Sequence, residues 1–475
     1  MSEHVGYIVQ IQKLDKHPNA DRLQIATIFG ASVIVDLNTK IGDLGIYFPI
    51  DLQLSEEYCE KNNLVHKLDE NGNNIGGYLE PNKRNIRAMR FRGSKSEGLF
   101  MPLETLVYTG KTQFEVGEKI DVVNGYEICK KYIPMGKKIS NPRNYNKARK
   151  KKVPISPLFA EHADTEQLVY NMDAFLENDM VEMTLKMHGT SGRTGYLPKL
   201  KKMKRSLLDI ILRREGTPIY DWGYVTGTRR VVLNDFDGGF YGDNSFREKH
   251  AKFFEGKLNK GETVYYEIVG FLDSGAPIMP SVANSKISDK AFSKTYGPTT
   301  TFSYGCASRA FYDQVNDKEI PQSDCYVYRM TMTNEDGDVV EYPSDYMRYR
   351  CEQMGVKYVP VLWRGIIPEK HFIDKEVVKE EPLGEPTIYT VSQEETVNPG
   401  EWIKEIAEQY YDGPDPIGKN HVREGVVIRI LNRPKFCAYK HKNFSFKVLE
   451  GIAKDLAAEP DMEEAQEVIE NEPFN

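Results

Sequence analysis

The first feature of this sequence that could do chemistry is a lysine followed three residues later by a glycine, at the end of a strand-like stretch. Lys186 and Gly189 lie in the run TLKMHGTS at residues 184–191, and apolar and polar residues alternate just before the lysine. A period of two places the lysine on the face opposite the aliphatic side chains. A deprotonated lysine amine is a nucleophile, and a glycine beside it lets backbone approach a phosphate or sugar closely. By itself the pattern is more typical of a surface strand that leads into a turn, because such tetrapeptides are common.

Five further stretches follow the lysine in a definite order. They are GTRR at 227–230, YEIVG at 266–270, YVYR at 326–329, REGVVI at 423–428 and KHK at 440–442. With the lysine run, they resemble the ordered motifs of the covalent nucleotidyltransferases, which comprise RNA ligases, DNA ligases and mRNA capping enzymes. The HGT at 188–190 is similar to the RNA ligase version, since DNA ligases usually carry aspartate at the position of His188. The resemblance implies that Lys186 accepts AMP covalently and that His188 and Gly189 bind the nucleotide.

Basic residues in the later motifs could supply the charge that such chemistry needs. Lys440 and Lys442 alternate along a strand-like stretch and therefore share one face. Nearby cations lower the pKa of a lysine amine, which keeps it nucleophilic, and they also bind phosphate. The resemblance implies that both lysines bind the α-phosphate of ATP next to Lys186. It also implies a bidentate arginine grip on a phosphate, with Arg229 as the first assignment and Arg230 as its rival.

Two glutamates and one tyrosine complete the candidate site residues. Glu267 and Glu424 lie at the ends of apolar strand-like runs, where a carboxylate can face a cleft. The resemblance assigns Glu267 to the ribose and its surroundings and Glu424 to a divalent metal, Mg²⁺ or Mn²⁺. Tyr328 is expected to stack on adenine, with Tyr326 on the same face as the alternative. Exposed strand-end glutamates and a core tyrosine are the simpler interpretations of these residues.

The sequence departs from the family pattern at two positions. Leu185 stands directly before the lysine, where related phage RNA ligases carry a glutamate that helps to read adenine. The preference for ATP over GTP therefore has a weaker basis. Ser191 stands where several DNA ligases carry an arginine, and Arg193 is nearby. We therefore expect a different residue to make the contact with the ribose.

The composition limits the class of protein. The chain has 475 residues, 40% hydrophobic and 28% charged, which is ordinary for a soluble globular protein of two or three domains. A net charge of -7 argues against a wholly cationic surface of the kind that coats nucleic acid. The six cysteines are scattered without C-x-x-C pairs, which indicates neither a zinc ribbon nor a disulfide framework. The N-terminus lacks the pattern of a signal peptide and no apolar run approaches the roughly 20 residues of a membrane span, so we expect a cytoplasmic protein that does not enter the membrane.

The first 130 residues predict a small β-barrel. Short β-rich runs alternate with turn formers, beginning with a hairpin over residues 7–35. Residues 17–23 and 92–99 resemble the OB modules of tRNA-binding proteins and of one group of nick-sealing RNA ligases. The arginines between positions 84 and 92 fit either a solvated strand face or a row of phosphate contacts.

The predicted domain order is therefore an OB-like nucleic-acid-binding domain at 1–130, a basic linker at 131–154, a nucleotidyltransferase domain at 155–455 and an acidic tail at 456–475. The Lys- and Arg-rich linker is typical of a disordered segment and could also touch a nucleic-acid backbone. A second basic stretch, residues 199–214, interrupts the domain between its first two motifs.

We expect an α+β protein in which an N-terminal OB-like β-barrel precedes a nucleotidyltransferase domain of antiparallel sheets and helices. The resemblance implies an ATP-dependent RNA ligase that joins a 3'-OH to a 5'-phosphate, at nicks in duplexes, through lysyl-AMP and an adenylylated 5'-end. Its partner is then RNA or an RNA-containing duplex, and the strand on the 5'-phosphate side could be RNA or DNA. The alternatives are a DNA ligase or a capping enzyme, which normally place the OB module after the transferase domain, and a non-catalytic RNA-binding protein.

Overall fold

The computed structural model describes residues 4–133, 154–163, 165–207, 216–229, 232–233, 245–287, 289–379 and 387–456. Most of the expected basic linker, nearly all of the acidic tail, Arg230 and residues 208–214 of the second basic stretch lie outside the described residues.

The N-terminal part, residues 4–133, consists of short strands with one short helix. The strands are β1 (Gly6–Gln10), β2 (Leu14–Lys16), β3 (Leu23–Ile28), β4 (Ala31–Asp36), β5 (Leu44–Phe48), β6 (Leu52–Leu54), β7 (Ala88–Phe91), β8 (Ser94–Glu97), β9 (Leu99–Pro102), β10 (Lys119–Ile120), β11 (Val122–Val123), β12 (Tyr126–Glu127) and β13 (Cys129–Lys131). The helix is α1 (Glu56–Lys61), and a 3₁₀ helix spans Leu103–Thr109.

The N-terminal strands pair in several small sheets. A four-stranded sheet has the order β10-β1-β5-β9, a three-stranded sheet has the order β2-β3-β4, and β7 and β8 form a hairpin. The alternation of β1 divides its side chains between two apolar clusters, with Ile8 in one and Tyr7 and Val9 in the other. A sheet whose two faces are both buried in this way accounts for the dense apolar pattern of its sequence.

The second part begins after the linker and is a mixture of longer strands and helices. Its strands are β14 (Glu166–Gln167), β15 (Met180–Lys186), β16 (Thr190–Lys204), β17 (Thr217–Gly227), β18 (Val232–Leu233), β19 (Glu262–Gly270), β20 (Val282–Ala283), β21 (Thr299–Thr300), β22 (Phe311–Asp313), β23 (Lys318–Ile320), β24 (Ser323–Thr333), β25 (Val339–Glu341), β26 (Lys357–Tyr358), β27 (Val361–Ile366), β28 (Lys370–Lys379), β29 (Thr387–Thr396), β30 (Gly425–Ile430) and β31 (Ala438–Lys442). Its helices are α2 (Ser245–Phe253), α3 (Lys290–Tyr296), α4 (Ser344–Met354), α5 (Pro399–Tyr410) and α6 (Phe444–Leu456), with 3₁₀ helices at Leu168–Tyr170, Met172–Ala174 and Asn284–Ile287.

Two mainly antiparallel sheets dominate this second part. One has the order β14-β31-β30-β15-β27, and the other has the order β18-β17-β16-β19-β24-β25 with β26 also paired to β24. The first sheet holds the lysine strand β15 between β30 and β27. Val181, Met183 and Leu185 of β15 are buried in apolar clusters, and Lys186 lies on the opposite face, which confirms the period-two prediction.

Helix α6 follows directly after β31, and a side-chain cap sets its start. Asn443 accepts a hydrogen bond at Oδ1 from the backbone N–H of Phe446, at 2.9 Å. Such a cap satisfies an N–H that would otherwise have no partner in the first turn. The strand and the helix are thereby joined by a tight corner, and side chains of α6 lie close to the lysines of β31.

The hairpin of β7 and β8 docks the N-terminal part onto α6. Arg90 forms an ion pair of 3.0 Å with Asp289, and its guanidinium lies 5.3 Å from the ring centre of Phe444, a residue of α6. Glu97 forms an ion pair with Lys447 of the same helix. Arg90 therefore does not lie on a fully solvated face, and its charge is paired between the two parts of the chain.

Within the part of the chain that the structure describes, no helix combines the length and the apolar character that a membrane span requires. The six cysteines all have free thiols.

Candidate active site

Lys186 ends strand β15, and its side chain lies against a buried glutamate. The Nζ atom of Lys186 is 2.6 Å from Oε1 of Glu424, and their side chains are 21% and 2% exposed. Burial raises the pKa of Glu424, but the positive charges of Lys186 and Lys442 outweigh it and hold that pKa below its usual value. Glu424 is therefore a carboxylate at neutral pH.

Lys442 lies in line with Lys186 across the sheet. Gly425 of β30 is opposite Lys186 on one side and opposite Lys442 on the other, so the two lysines flank a residue without a side chain. The Nζ atom of Lys442 is 3.4 Å from Oε1 of Glu424 and 2.8 and 2.9 Å from the carboxylate oxygens of Glu450 on α6. Two lysines and two carboxylates thus share one small polar cluster.

Lys440 lies one step further along β31. It is opposite Val427 in the register, and Val427 is in turn opposite Thr184 of β15. Facing residues of neighbouring strands project from the same side of a sheet. Lys440 and Lys442 therefore lie on the face that carries Lys186, as the alternation in the sequence predicted.

His188 and Gly189 belong to the corner between β15 and β16 and pack inward. The ring of His188 contacts the rings of Phe302 and Phe446 edge to face, at centroid distances of 4.6 and 4.8 Å. Burial lowers the pKa of His188 to about 4, so the imidazole is neutral at physiological pH. The His188 backbone N–H donates to the Tyr304 hydroxyl at 2.7 Å.

Gly189 permits a close contact between two strands of the protein, whereas the sequence suggested a close approach of backbone to a phosphate or sugar. A Cβ atom at this position would lie 2.3 Å from the carbonyl oxygen of Ile268 on β19, which no side chain tolerates. Its N–H donates to Oε1 of Glu267 at 3.2 Å. The glycine therefore lets the lysine strand close against the strand of Glu267.

A cleft opens above this face of the sheet and encloses about 850 Å³, open space at its mouth included. Its walls come from both large sheets and from α4. The residues that line it are His162, Thr165, Glu182, Thr184, Leu185, Lys186, Met187, Arg229, Glu267, Tyr328, Ser344, Met347, Arg348, Val359, Val427, Arg429 and Phe436. Four of the sequence-predicted residues, Lys186, Arg229, Glu267 and Tyr328, are among them.

A β-bulge distinguishes the two candidate tyrosines. Along β24, Val327 pairs with Tyr266 and Arg329 pairs with Tyr265, so Tyr328 is an extra residue in the strand. Tyr326 is buried in the apolar core, whereas Tyr328 lines the cleft with its ring 5.0 Å from that of His162. Tyr328 packs against the apolar cluster that contains Tyr326, and Tyr326 is opposite Glu267 of the cleft lining, so the two tyrosines share one face as expected, but only Tyr328 lines the cleft.

Arg193, the nearby arginine that could have rebuilt a ribose contact, is a structural residue. Its side chain is buried and donates to the carbonyl oxygens of Thr228 at 2.9 Å and Phe159 at 3.3 Å. It thereby ties the segment before the lysine strand to the turn that carries Arg229. Its role is to hold the walls of the cleft together.

Sequence reasoning missed five charged or aromatic residues of the cleft, namely His162, Glu182, Arg348, Arg429 and Phe436. Glu182 had a usable signal, since it lies four residues before Lys186 and a period of two places both on one face. Arg429 had the same kind of signal, because alternation along β30 places it on the same face as Val427. His162 and Arg348 reach the cleft only through tertiary packing.

Glu424 suits a divalent cation. Its Oε2 atom is buried and has no hydrogen-bond partner among the described residues. No group of three or more His, Cys, Asp or Glu side chains suited to a metal is present in the described ranges. A single carboxylate completed by substrate phosphates and water is a common arrangement for Mg²⁺. The donor set therefore fits a metal that arrives with a nucleotide.

Comparisons with known proteins define the class of fold. Residues 5–103 match a family model described as an OB-fold domain. The comparison with curated protein sequences gave no match. In solved structures the fold of this chain occurs in an RNA ligase, so the expected fold class and the resemblance to ATP-dependent RNA ligases are confirmed at the level of the fold.

The particular structures are of the RNA ligase of Naegleria gruberi. The one with PPi has a TM-score of 0.52 and 15% identity and covers 94% of this chain and 98% of its own. A mutant with ATP and Mn has a TM-score of 0.51 and 16% identity, with coverages of 95% and 100%. A lysine-to-methionine mutant with AMP and Mn has a TM-score of 0.50 and 15% identity, with coverages of 94% and 98%.

Proposed function

We propose that this protein is an ATP-dependent RNA ligase that joins a 3'-OH to a 5'-phosphate at nicks, through AMP linked to Lys186. The observation that carries the proposal is the contact of Lys186 with Glu424 and its alignment with Lys442, at one end of a cleft that Arg229 and Tyr328 also line. The fold supports it, because the similar solved structures are of an RNA ligase with AMP, ATP or PPi.

In the first step, the unprotonated amine of Lys186 attacks the α-phosphorus of ATP. A nitrogen–phosphorus bond forms, the bond from that phosphorus to the bridging oxygen breaks, and pyrophosphate leaves with the electron pair. The proton that the amine loses passes to solvent. Lys440 and Lys442 project from the same face and are placed to balance charge on the α-phosphate. A divalent cation at Glu424, Mg²⁺ or Mn²⁺, would neutralise charge on the phosphate oxygens.

The second and third steps transfer the AMP and then release it. An oxygen of the RNA 5'-phosphate attacks the phosphorus of lysyl-AMP, the nitrogen–phosphorus bond breaks, and the Lys186 amine takes up a proton. The 3'-OH then attacks the 5'-phosphate, its proton is lost, and AMP leaves. Only the first two steps require a lysine amine as nucleophile or leaving group.

Basic residues outside the cleft are placed to hold a nucleic-acid backbone. The long strand β16 carries the exposed residues Lys201, Lys202 and Lys204 on its outer half, beyond the sheet pairing with β19. The OB-fold part lies against α6, next to the lysine cluster. The proposal assigns the duplex to these two surfaces, and the 5'-phosphate strand could be RNA or DNA.

Incubation with α-labelled ATP and Mg²⁺ or Mn²⁺, followed by a denaturing gel, tests the proposal. Labelled protein is expected, together with sealing of a nicked duplex whose 3'-OH strand is RNA. Label from GTP alone without sealing would favour a capping-type transferase, and sealing only of an all-DNA nick would favour a DNA ligase. A protein that binds RNA but never becomes labelled would contradict covalent catalysis.

A further inference from the structure

The floor of the cleft is a ladder of three rows across strands β15 and β30. Lys186 is opposite Gly425, Thr184 is opposite Val427, and Glu182 is opposite Arg429. Alternate residues of a strand project from the same face, so all three rows point into the cleft. The ladder therefore runs from the nucleophile at one end to a glutamate–arginine pair at the other.

Glu182 is held rigidly at the far end of this ladder. Its side chain is only 3% exposed, and its Oε2 atom accepts a hydrogen bond of 2.8 Å from Nη1 of Arg348. Arg364 lies 4.0 Å from the same oxygen. Arg348 is itself paired on its other side with Asp345, whose side chain is exposed. A carboxylate fixed in this way is expensive to bury and is oriented before any ligand arrives.

The spacing of the ladder matches a nucleoside monophosphate. Four residues of extended strand place Glu182 about 13 Å from Lys186, measured between Cα atoms. A phosphorus bonded to Lys186 would carry its ribose and base along the ladder above Thr184 and Val427. Tyr328 lines the cleft beside His162 and offers an aromatic face for the base. The outer edge of the base would then meet the third row.

We propose that Glu182 recognises the exocyclic amino group of adenine, with Arg348 holding the carboxylate in place; this inference rests on the proposed function. An amino group donates hydrogen bonds and a carboxylate only accepts them, so the two are complementary. The other carboxylate of the cleft lining, Glu267, accepts the N–H of Gly189 at the lysine end and lies too near the nucleophile to reach the base edge. Glu182 thereby takes over the adenine recognition that Leu185 cannot provide.

The third row could also recognise guanine, but guanine presents a different hydrogen-bonding group from adenine at the same position. Guanine presents an oxygen acceptor where adenine presents the amino donor, and an arginine is its usual partner. Arg429, the arginine of this row, donates to the carbonyl oxygen of Tyr342 at 3.1 Å, and Arg348 is paired with Glu182 and Asp345. The geometry therefore favours the carboxylate as the recognising group and ATP as the nucleotide.

The test compares ATP with purine riboside triphosphate, which lacks only the amino group. Both label transfer to the protein and binding by equilibrium dialysis are measured. A hydrogen bond to a charged group corresponds to roughly a ten- to hundredfold preference for ATP in the wild type. The Glu182→Ala variant should lose this preference. Its binding of ATP and its label transfer from ATP should become weaker, whereas both values for the analogue should stay unchanged. Glu182→Gln keeps the shape of the side chain and should give an intermediate preference, which preserves the test if Glu182→Ala does not fold.

Glu248→Ala provides the control. It removes a partly exposed glutamate of α2 that pairs with Lys252 and does not line the cleft. Its preference for ATP over the analogue should equal that of the wild type.

Three outcomes would overturn the inference. In the first, the wild type binds ATP and the analogue equally well. In the second, Glu182→Ala weakens binding of ATP and of the analogue to the same extent. In the third, the wild type prefers GTP to ATP. Failure of the ligase proposal is recognised separately, because the dialysis measurement does not depend on catalysis. A protein that binds ATP selectively through Glu182 but never becomes labelled would sink the ligase assignment and leave the adenine contact standing.

Discussion

The Nζ atom of Lys186 lies 2.6 Å from the buried Oε1 atom of Glu424. This ion pair holds the amine at the end of the cleft. A cation bound to the same carboxylate would compete with the lysine for Glu424. The four side chains Lys186, Lys442, Glu424 and Glu450 form one connected cluster of charges, so a change at one of them affects the others.

The first prediction concerns Lys186 as the nucleophile. Lys186→Ala should lose label transfer from α-labelled ATP, and Lys186→Arg should lose it too, because a guanidinium stays protonated. Sealing of a strand that already carries a 5'-AMP should survive in part, since that step does not consume the amine. Both reactions are read from denaturing gels.

Lys252→Ala is the control for the lysine variants. Lys252 is an exposed residue of α2 paired with Glu248, far from the cleft lining, and its loss should leave labelling intact. Chelation with EDTA should abolish labelling of the wild type. Normal labelling of Lys186→Ala would move the nucleophile to Lys440 or Lys442.

The second prediction concerns the contact between the N-terminal part and α6. Glu97→Lys should weaken the docked arrangement, because it places two cations together where Glu97 and Lys447 now pair at partly buried positions. We expect a loss of about 1–3 kcal/mol in the free energy of unfolding, and slower labelling because α6 also carries Glu450. Thermal melts and labelling rates measure the two effects.

The charge-swapped double variant distinguishes pairing from general damage. Glu97→Lys with Lys447→Glu should recover stability and labelling, whereas Asp15→Lys, at an exposed pair with Lys13, should change neither. No recovery in the double variant would show that the ion pair is not what couples the two parts.

The third prediction concerns the outer half of β16 and its exposed lysines. If Lys201, Lys202 and Lys204 contact phosphates, each alanine substitution should reduce the slope of log affinity against log salt by about one unit. Binding of a nicked RNA duplex, measured by fluorescence anisotropy at several salt concentrations, gives the slope. An unchanged slope in the triple variant would return this strand to a merely solvated face.

The fourth prediction concerns acid stability. Burial lowers the pKa of His250 to about 4 from 6.5, and its Nε2 lies 3.0 Å from the Ser323 hydroxyl. The unfolded chain then takes up the proton first, so the contribution of this residue is present above about pH 6.5 and is lost as the pH falls towards 4. The melting temperature of His250→Gln at pH 7.5 serves as the reference for this variant, which has no titrating group at this position.

Below that pH the two proteins should diverge. The melting temperature of the wild type should fall more steeply with acidification, by an amount equivalent to at most about 1.4 kcal/mol per pH unit. Parallel curves for the two proteins down to pH 4.5 would show that His250 does not bind fewer protons in the folded state.

The sequence by itself determined the order of the motifs and the faces of the strands. The alternation around Lys186 placed it opposite Val181 and Met183, and the spacing of Lys440 and Lys442 placed both on one face. These follow from local backbone geometry, because side chains of an extended strand alternate whatever the rest of the fold does. The small β-barrel of the first part was predictable for the same reason, and its OB-like character followed from the resemblance of residues 17–23 and 92–99 to OB modules.

Only the tertiary structure decided which residues meet. Of the two candidate tyrosines only Tyr328 lines the cleft, whereas Tyr326 is buried, and Arg90 pairs with Asp289, almost two hundred positions away in the chain. Glu182 acquires its place above the cleft floor only once β30 and α4 have packed against β15. Such contacts depend on the register between strands and on packing between elements, neither of which local periodicity encodes.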